Sequence, residues 1–384
     1  MTLYSCNCIS EKRFSKIFSL KKFPLFFGAI PENLKKIKQY PLEISICSKC
    51  NLIQQTKRIK EEILNKVYES KFYNCPAPTV SNIGKSEIEK FLKYFYSRKN
   101  KKKKLLEIAC FDGFILKKLF KEKWDVYGSD PSPSTRKLLK ELGPKRIRQK
   151  YFNSNLFDTK FDIIILRNLL EHIYDIPKFL EELKKSLNIN GKIYIDVPNI
   201  KETIKLGGFG SFFHQHVTYF SIETLNDILS KNGFVITHFK EGNPNLFVEV
   251  KIKSPKLNGL KFKLFNPKIV KIKKKYKKFE KKIKNLFKNK NKKYILFGAS
   301  SIATSLMGVL SKKELKKIVL IADNDIQKHN KYLSGSNIKI SSPKKIFNLN
   351  YDKIIILTYL FEKQIIKSLI KLGVKKNKIS SLKF

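Results

Sequence analysis

The sequence predicts an α/β chain built on parallel, doubly wound sheets, and three observations predict it. Residues 104–131 read KLLEIACFDGFILKKLFKEKWDVYGSDP: a short apolar strand, a loop of small and acidic residues, a helix and a second strand ending at Asp130. Strands and helices then alternate to about residue 250, as parallel neighbours joined by crossovers require. From residue 294 the alternation begins again, and 384 residues leave room for two or three cores.

Taken in order, residues 1–75 carry Cys6, Cys8, Cys47, Cys50 and Cys75 with little periodicity. They are expected to form a small domain held by something other than an apolar core, a metal being the candidate. Ile83, Ile88, Phe91, Leu92 and Tyr94 predict a helix over 83–96, and 99–104 is a basic linker. In the 104–131 unit the helix is marked by Phe114, Ile115, Leu116, Leu119 and Phe120. FDIIIL (161–166) is a β-branched strand, 176–187 an amphipathic helix, and GKIYIDV (191–197) a strand stopped by Pro198. VITHFKEGNPNLFVEVKI (235–252) reads as two strands joined by a Gly/Asn/Pro turn, an antiparallel edge hairpin. Between 267 and 293 lysine dominates, yet Ile269, Ile272, Tyr276, Phe279, Ile283 and Leu286 form one helical stripe. A disordered basic tail would not keep that register, so a bridging helix is expected. Strands at 294–297, 318–322 and 354–357, with the loop after Gly298 and Asp323 at a strand end, outline half a Rossmann unit. The resulting division is 1–75, 76–255, 256–293 and 294–384.

The formal charge of +48 invites a nucleic-acid reading, but arginine, the side chain that grips phosphates and guanines in two places, occurs only seven times. Lysine, asparagine, isoleucine and phenylalanine are inflated together, as translation of an AT-rich genome would produce. The lysines are therefore read as solvated surface, with no specific nucleic-acid partner. No apolar run is long enough for a membrane span or a secretion signal, and a cytoplasmic location is expected. There, cysteines point to thiols or a metal before disulfides.

The loop after the first strand indicates a ligand. In an open parallel sheet, cofactors sit outside the carboxyl ends of the strands, and a carboxylate at Asp130 can accept hydrogen bonds from both hydroxyls of a ribose. Dinucleotide loops use three glycines to bring backbone to a pyrophosphate. Here Gly113 is alone, and Glu107 and Asp112 stand where phosphate charge would go, which favours a cationic nucleoside without phosphates. EIACFDG resembles the first motif of class I S-adenosylmethionine methyltransferases. The resemblance implies S-adenosylmethionine as cofactor, held by Glu107, Ala109, Cys110, Asp112, Gly113, Asp130 and Asn168.

Histidine is the side chain best suited to move a proton near neutral pH. His172 follows the FDIIIL strand in LLEHI, and His214 and His216 lie in FFHQHVTYFS. His238 and His329 are read as core histidines. The N-terminal cysteines, EIACFDG, LLEHI, HQHVTYFS and the FGASS and IADND…GSNIKISSP segments fall in the order seen in three-domain sugar methyltransferases. That resemblance spans nearly the whole chain. It implies a zinc-binding N-terminal domain, a class I methyltransferase core and a C-terminal Rossmann-like domain. It further implies a nucleotide-activated sugar as acceptor, in glycan or surface-polysaccharide precursor synthesis. In the family a segment like Y-H-E-H-L-S-Y-F lines the active site, which assigns His216 as base and His172, His214 and Gln215 as residues orienting the acceptor. Phe213 replaces the family's tyrosine and Gln215 its glutamate, and Gln215 can hydrogen-bond but cannot take a proton. The family's G-G-S-L-R segment is also replaced, near Gly242, so carbon, oxygen and nitrogen all remain open as the methylated atom.

Cys47 and Cys50 have the C-x-x-C spacing of a zinc knuckle. Cys6 and Cys8 are one residue tighter, and the four together are the expected ligands of a structural zinc. Cys110 is read as a small side chain near the cofactor. A competing reading, an NAD-dependent sugar-nucleotide oxidoreductase or epimerase, would use the loop from Gly298 to Ala303 and Asp323.

Overall fold

The computed structural model describes residues 2–3, 5–8, 13–34, 38–70, 82–205, 209–242, 244–263, 267, 269–358 and 362–382, so Cys75 lies outside the described residues. The central sheet contains Lys104–Ile108, Asp125–Ser129, Ile147–Arg148, Phe161–Arg167, Leu187–Pro198, Phe234–Glu241 and Asn245–Ile252. Numbered first to seventh along the chain, these strands lie in the order 3-2-1-4-5-7-6. The seventh runs antiparallel to both neighbours, and the other pairings are parallel. The hairpin around Gly242 is thus present, but the chain turns back inside it: the seventh strand slots beside the fifth and leaves the sixth outermost.

Both faces of this sheet are covered, which is why FDIIIL is apolar without alternation. Leu106, Ile108, Ile164, Leu166, Ile193 and Ile195 pack on one face, and Leu105, Ile163, Ile165 and Tyr194 on the other. Helix Ile176–Ser186 starts at Asp175, whose side chain accepts from the Lys178 N–H, with Pro177 in its first turn. Helix Ile222–Lys231 is fixed by a reciprocal Ser221–Thr224 cap. The strand order reverses between the first and fourth strands, and this opens the crevice at their carboxyl ends.

The first sheet corrects the expectation that residues 1–75 lack a core. Phe14–Phe23, Tyr40–Cys47 and Ile53–Arg58 are antiparallel strands, and Phe18, Phe23, Leu42, Ile44, Ile46 and Ile53 are buried. Their packing partners come from far along the chain. Phe18 stacks on Tyr276 at 4.1 Å between ring centres and meets Phe209 and Phe212 edge-on. Helix Ile269–Leu286 supplies Tyr276 and buries Ile272, Phe279 and Ile283, joining the first sheet to a third one in a single apolar cluster. The third sheet has five parallel strands in the order Ile340–Ser341, Ile318–Ala322, Tyr294–Phe297, Lys353–Ile356, Ile379–Ser381. Two short pairings lock the sheets together: Thr218–Tyr219 onto Ile53–Arg58, and Tyr332–Leu333 onto Ala29–Ile30.

Candidate functional site

At the switch point the loop after the first strand coils tightly. Ala109, Phe111 and Gly113 all have positive φ, at 61°, 47° and 73°. A side chain on Gly113 would drive its Cβ to 2.4 Å from Leu138, so glycine is required on steric as well as conformational grounds. Asp130 holds this coil: the Phe111 N–H donates to Oδ2 at 3.0 Å and the Ser132 N–H to Oδ1 at 2.7 Å. Each carboxylate oxygen keeps a further lone pair for a ribose hydroxyl. Burial raises the Asp130 carboxyl to about 6, with the two N–H bonds opposing. Glu107 is deeper, its Oε2 lacks a hydrogen-bond partner, and burial lifts its carboxyl to about 8. Asp112 caps the following helix by accepting from the Phe114 N–H at 3.2 Å. The Cys110 thiol is buried, and desolvation raises it well above the ordinary range, so it is inert filling beside Gly128. Asn168 has φ 45° at the exposed end of the fourth strand and donates its N–H to the Asp196 carbonyl at 2.8 Å. The donor set suits a cationic nucleoside: acceptors surround a glycine cradle, and an orphaned buried carboxyl oxygen awaits a partner.

The histidines meet beside the same crevice. The short turn Leu170–His172 follows the fourth strand, and the rings of His172 and His216 cross edge-on at 4.8 Å. Glu171 Oε1 lies 4.0 Å from Nε2 of each. Neither Glu171 oxygen has a hydrogen-bond partner on another residue, and desolvation lifts its carboxyl to about 8, with its own backbone N–H opposing. Burial lowers His172 to about 4, with a bond to the Gln215 backbone opposing, and pushes His216 well below its usual range with help from His172. Both rings are therefore neutral at physiological pH, and His216 has a lone pair to accept a proton. Tyr68, whose phenol is kept protonated by burial, lies 3.1 Å from His172 Nδ1. Glu171, His216, Ser211, Thr218, Tyr219 and Ile200 line one small cavity. Arg167, at the end of the fourth strand, pairs with Asp196 at 2.9 Å, and its charge bears on both Glu107 and Glu171.

His214 and Gln215 turn the other way. The fully buried His214 faces Phe23 and Tyr40, with Nε2 3.4 Å from the Phe23 carbonyl, and Gln215 Nε2 donates to the Leu25 carbonyl at 3.1 Å. The chain turns at His214 and Gln215, closed by the His216 N–H donating to the Phe213 carbonyl at 3.1 Å, so these two side chains face the first sheet and His216 faces the cavity. Gln55 of the first sheet clamps the segment: its Nε2 donates toward the carbonyls of Phe213, His214 and His216 at 2.9, 3.1 and 2.6 Å. Gln55, Glu171 and Tyr68 carry no motif; only Glu171 had a sequence signal, its adjacency to His172.

The four cysteines converge in the first sheet. Sγ of Cys6 and Cys50 lie 3.6 Å apart, and those of Cys8 and Cys47 3.7 Å. A tetrahedral zinc with bonds of about 2.3 Å holds sulfurs about 3.8 Å apart. The N–H groups of Cys8 and Lys49 point at Cys6 and Cys47 sulfur, both at 3.4 Å, as thiolates favour. Hydrogen bonding from Cys50 pulls Cys47 down to about 2, while Cys6 and Cys50 are raised by their bonds to Cys47 and Cys8 by burial; four thiolates need a cation. The Cys6-x-Cys8 spacing fits because Asn7 turns outward, donating to Thr218 Oγ1 at 3.2 Å and accepting from the Ile176 N–H at 3.4 Å. Glu171, His172 and His216 also group within 4.8 Å. Nitrogen and oxygen donors on one tetrahedral ion of about 2.1 Å bonds lie about 3.4 Å apart, well inside the 4.0 Å found here.

Sheet order and crevice define a class I α/β fold with a mixed central sheet, that of S-adenosylmethionine-dependent methyltransferases. Residues 82–239 match the sequence model of the methyltransferase domain, so the centre of this chain is such a domain. Residues 290–380 match a family described as C2185-like, N-terminal. The C-methyltransferase NovU of Streptomyces niveus is 31% identical over 67 residues, 17% of this chain and 16% of that protein's length. Among solved structures, the 1,6-didemethyltoxoflavin-N1-methyltransferase of Burkholderia thailandensis is similar at 14% identity and TM-score 0.41, over 54% of this chain and 97% of that one. A methyltransferase from Bacteroides fragilis, in complex with S-adenosyl-L-homocysteine, is similar at 21% identity and TM-score 0.33, over 39% and 73%. One from Aquifex aeolicus is similar at 22% and 0.34, over 43% and 88%.

Proposed function

We propose that the protein transfers a methyl group from S-adenosylmethionine to a nucleotide-activated sugar in glycan or surface-polysaccharide precursor synthesis, with His216 as the base. The observation that carries this reading is the neutral His216 in a cavity with Glu171, next to the acidic crevice of a methyltransferase domain. The order of motifs along the chain supports the sugar, and the partial likeness to a C-methyltransferase supports methyl transfer. Residues 1–75 would form the zinc-bearing domain, 76–255 the methyl-transfer domain, 256–293 the bridge, and 294–384 a Rossmann-like domain that closes over the acceptor.

Glu107, Asp112 and Asp130 would hold the nucleoside, around the coil 109–113, with Asn168 at its rim. Bound there, S-adenosylmethionine supplies an electrophilic methyl on a cationic sulfur. His216 takes the acceptor's proton, leaving the electron pair on the atom to be methylated, and alignment of the two reactants contributes most of the remaining acceleration. Thr218 and Ser211 offer hydroxyls to the acceptor in the cavity. His172 braces the base edge-on, and His214 and Gln215 fix the segment to the first sheet rather than touching the acceptor.

Incubating the purified chain with labelled methyl donor and a panel of nucleotide sugars, then locating the label, tests the proposal. His216→Ala is expected to abolish transfer while cofactor affinity by calorimetry stays nearly intact. Wild-type turnover in that variant refutes the base, and binding of NAD with none of S-adenosylmethionine refutes the reaction.

A further inference from the structure

A carboxylate beside a histidine base stabilises the imidazolium that forms when the base takes a proton. In this chain the residue between the two histidines of the HQH segment is Gln215, and its side chain is bonded to the first sheet at Leu25. The nearest carboxyl arrives from another element. Glu171 comes off the end of the fourth strand, points its Oε1 between two imidazoles at 4.0 Å, and lines the cavity that His216 lines.

We infer that Glu171 is the positioning residue of this site, the carboxylate partner of His216 that position 215 does not supply. The inference rests on His216 being the base.

A buried carboxyl without a hydrogen-bond partner is rare in folded proteins and calls for a reason. At 1% exposure it is shut off from bulk solvent. The groups bearing on it are its own backbone N–H, His172 on its own turn, His216 across the cavity, Tyr68 from helix Glu61–Tyr68, Arg167 from the fourth strand and Asp196 from the fifth. Arg167 is already paired with Asp196 at 2.9 Å, which leaves the imidazoles as the near partners of Glu171. The backbone fixes this meeting, because the Val217 N–H donates to the Glu171 carbonyl at 2.9 Å.

The proton count follows. The competent pair is ionised Glu171 with neutral His216. The acceptor's proton moves to His216, the pair of electrons stays on the acceptor atom, and the imidazolium then faces a carboxylate until the proton leaves to solvent. Since burial lifts Glu171 to about 8, the competent fraction grows as pH rises toward that value.

The experiment uses the full chain with Glu171→Gln, Glu171→Asp and Gln215→Glu, each checked for folding by circular dichroism. Glu171→Gln keeps the shape of a buried carboxyl that is itself uncharged below about pH 8, so the fold is expected to persist. Histidine ring resonances, followed by NMR through a pH titration, need no acceptor: the His216 ring is expected to report the ionisation of Glu171 near pH 8, and Glu171→Gln is expected to abolish that step. In turnover, Glu171→Gln is expected to lower kcat about 100-fold, leave both KM values within about threefold, and erase the rise of rate toward pH 8. Glu171→Asp should recover part of it, and adding Gln215→Glu to Glu171→Gln should recover none. No step near pH 8 in the wild type or one that survives Glu171→Gln, rescue by Gln215→Glu, or a stoichiometric metal ion lost with Glu171→Gln would overturn the pairing. Loss of that step in Glu171→Gln, with no sugar in the panel methylated by the wild type, would support the pair and refute the sugar.

Discussion

Replacing Gln55 by leucine tests whether the first sheet holds the His216 segment in place. Gln55 is fully buried, and its two Nε2 hydrogens are shared among three carbonyls of the segment 213–216. Leucine keeps the volume and the backbone bond from the Gln55 N–H to the Val217 carbonyl at 2.9 Å, and removes the donors. Each stranded buried acceptor costs about 1–3 kcal/mol, but the partnerless Gln55 Oε1 disappears too and offsets one of them. The net cost is about 2 kcal/mol against local opening, roughly a 30-fold rise in the open population. Hydrogen exchange at the amides of His216 and Val217, which bond to Phe213 and Glu171, should accelerate by about that factor. Methyl transfer should fall further than cofactor binding, since a shift of about 1 Å at a base can cost 100-fold. Exchange within about threefold of wild type, with unchanged turnover, would refute the clamp.

Two further outcomes concern charge and metal. Glu107 and Asp130 have folded-state values near 8 and 6, above the ordinary carboxyl range, so their contribution to stability is greatest at low pH and is lost as pH rises through those values. Glu107→Gln should therefore raise the Tm of the ligand-free chain above pH 8 and flatten its decline from pH 5, whereas an unchanged pH dependence would contradict the burial argument. Because Asp130 ionises near pH 6, S-adenosylmethionine affinity by calorimetry should strengthen from pH 5 to 7, and Asp130→Asn should weaken it and remove that rise. Elemental analysis should find one zinc per chain; Cys50→Ser or strong chelation should unfold the first sheet, seen as proteolysis within residues 13–58, and lower turnover through Asn7 and Thr218. A chain that is free of metal and fully active would refute that site.

The sequence already carried the central sheet. Alternation in 104–252 and the β-branched run at 161–166 are local signals, because strand and helix periods differ and a doubly covered strand is apolar throughout. The cofactor loop was equally legible, since a glycine with positive φ and an acid at a strand end are properties of neighbouring residues. The C-x-x-C spacing pointed to a metal for the same reason.

Tertiary structure decided the rest. The first sheet looked coreless because its core partners, Phe209, Phe212 and Tyr276, lie some two hundred residues away. The histidine segment could be spotted, but not which of its side chains face the cavity: a turn at His214 and Gln215 sends His216 toward Glu171 and Gln215 toward Leu25. Gln55 became visible, and Glu171 found its partners, only once folding set them against that segment. A sequence records what each residue can donate, accept or bury; which distant partner it meets, and so what burial does to its proton, is settled by the packing of the sheets.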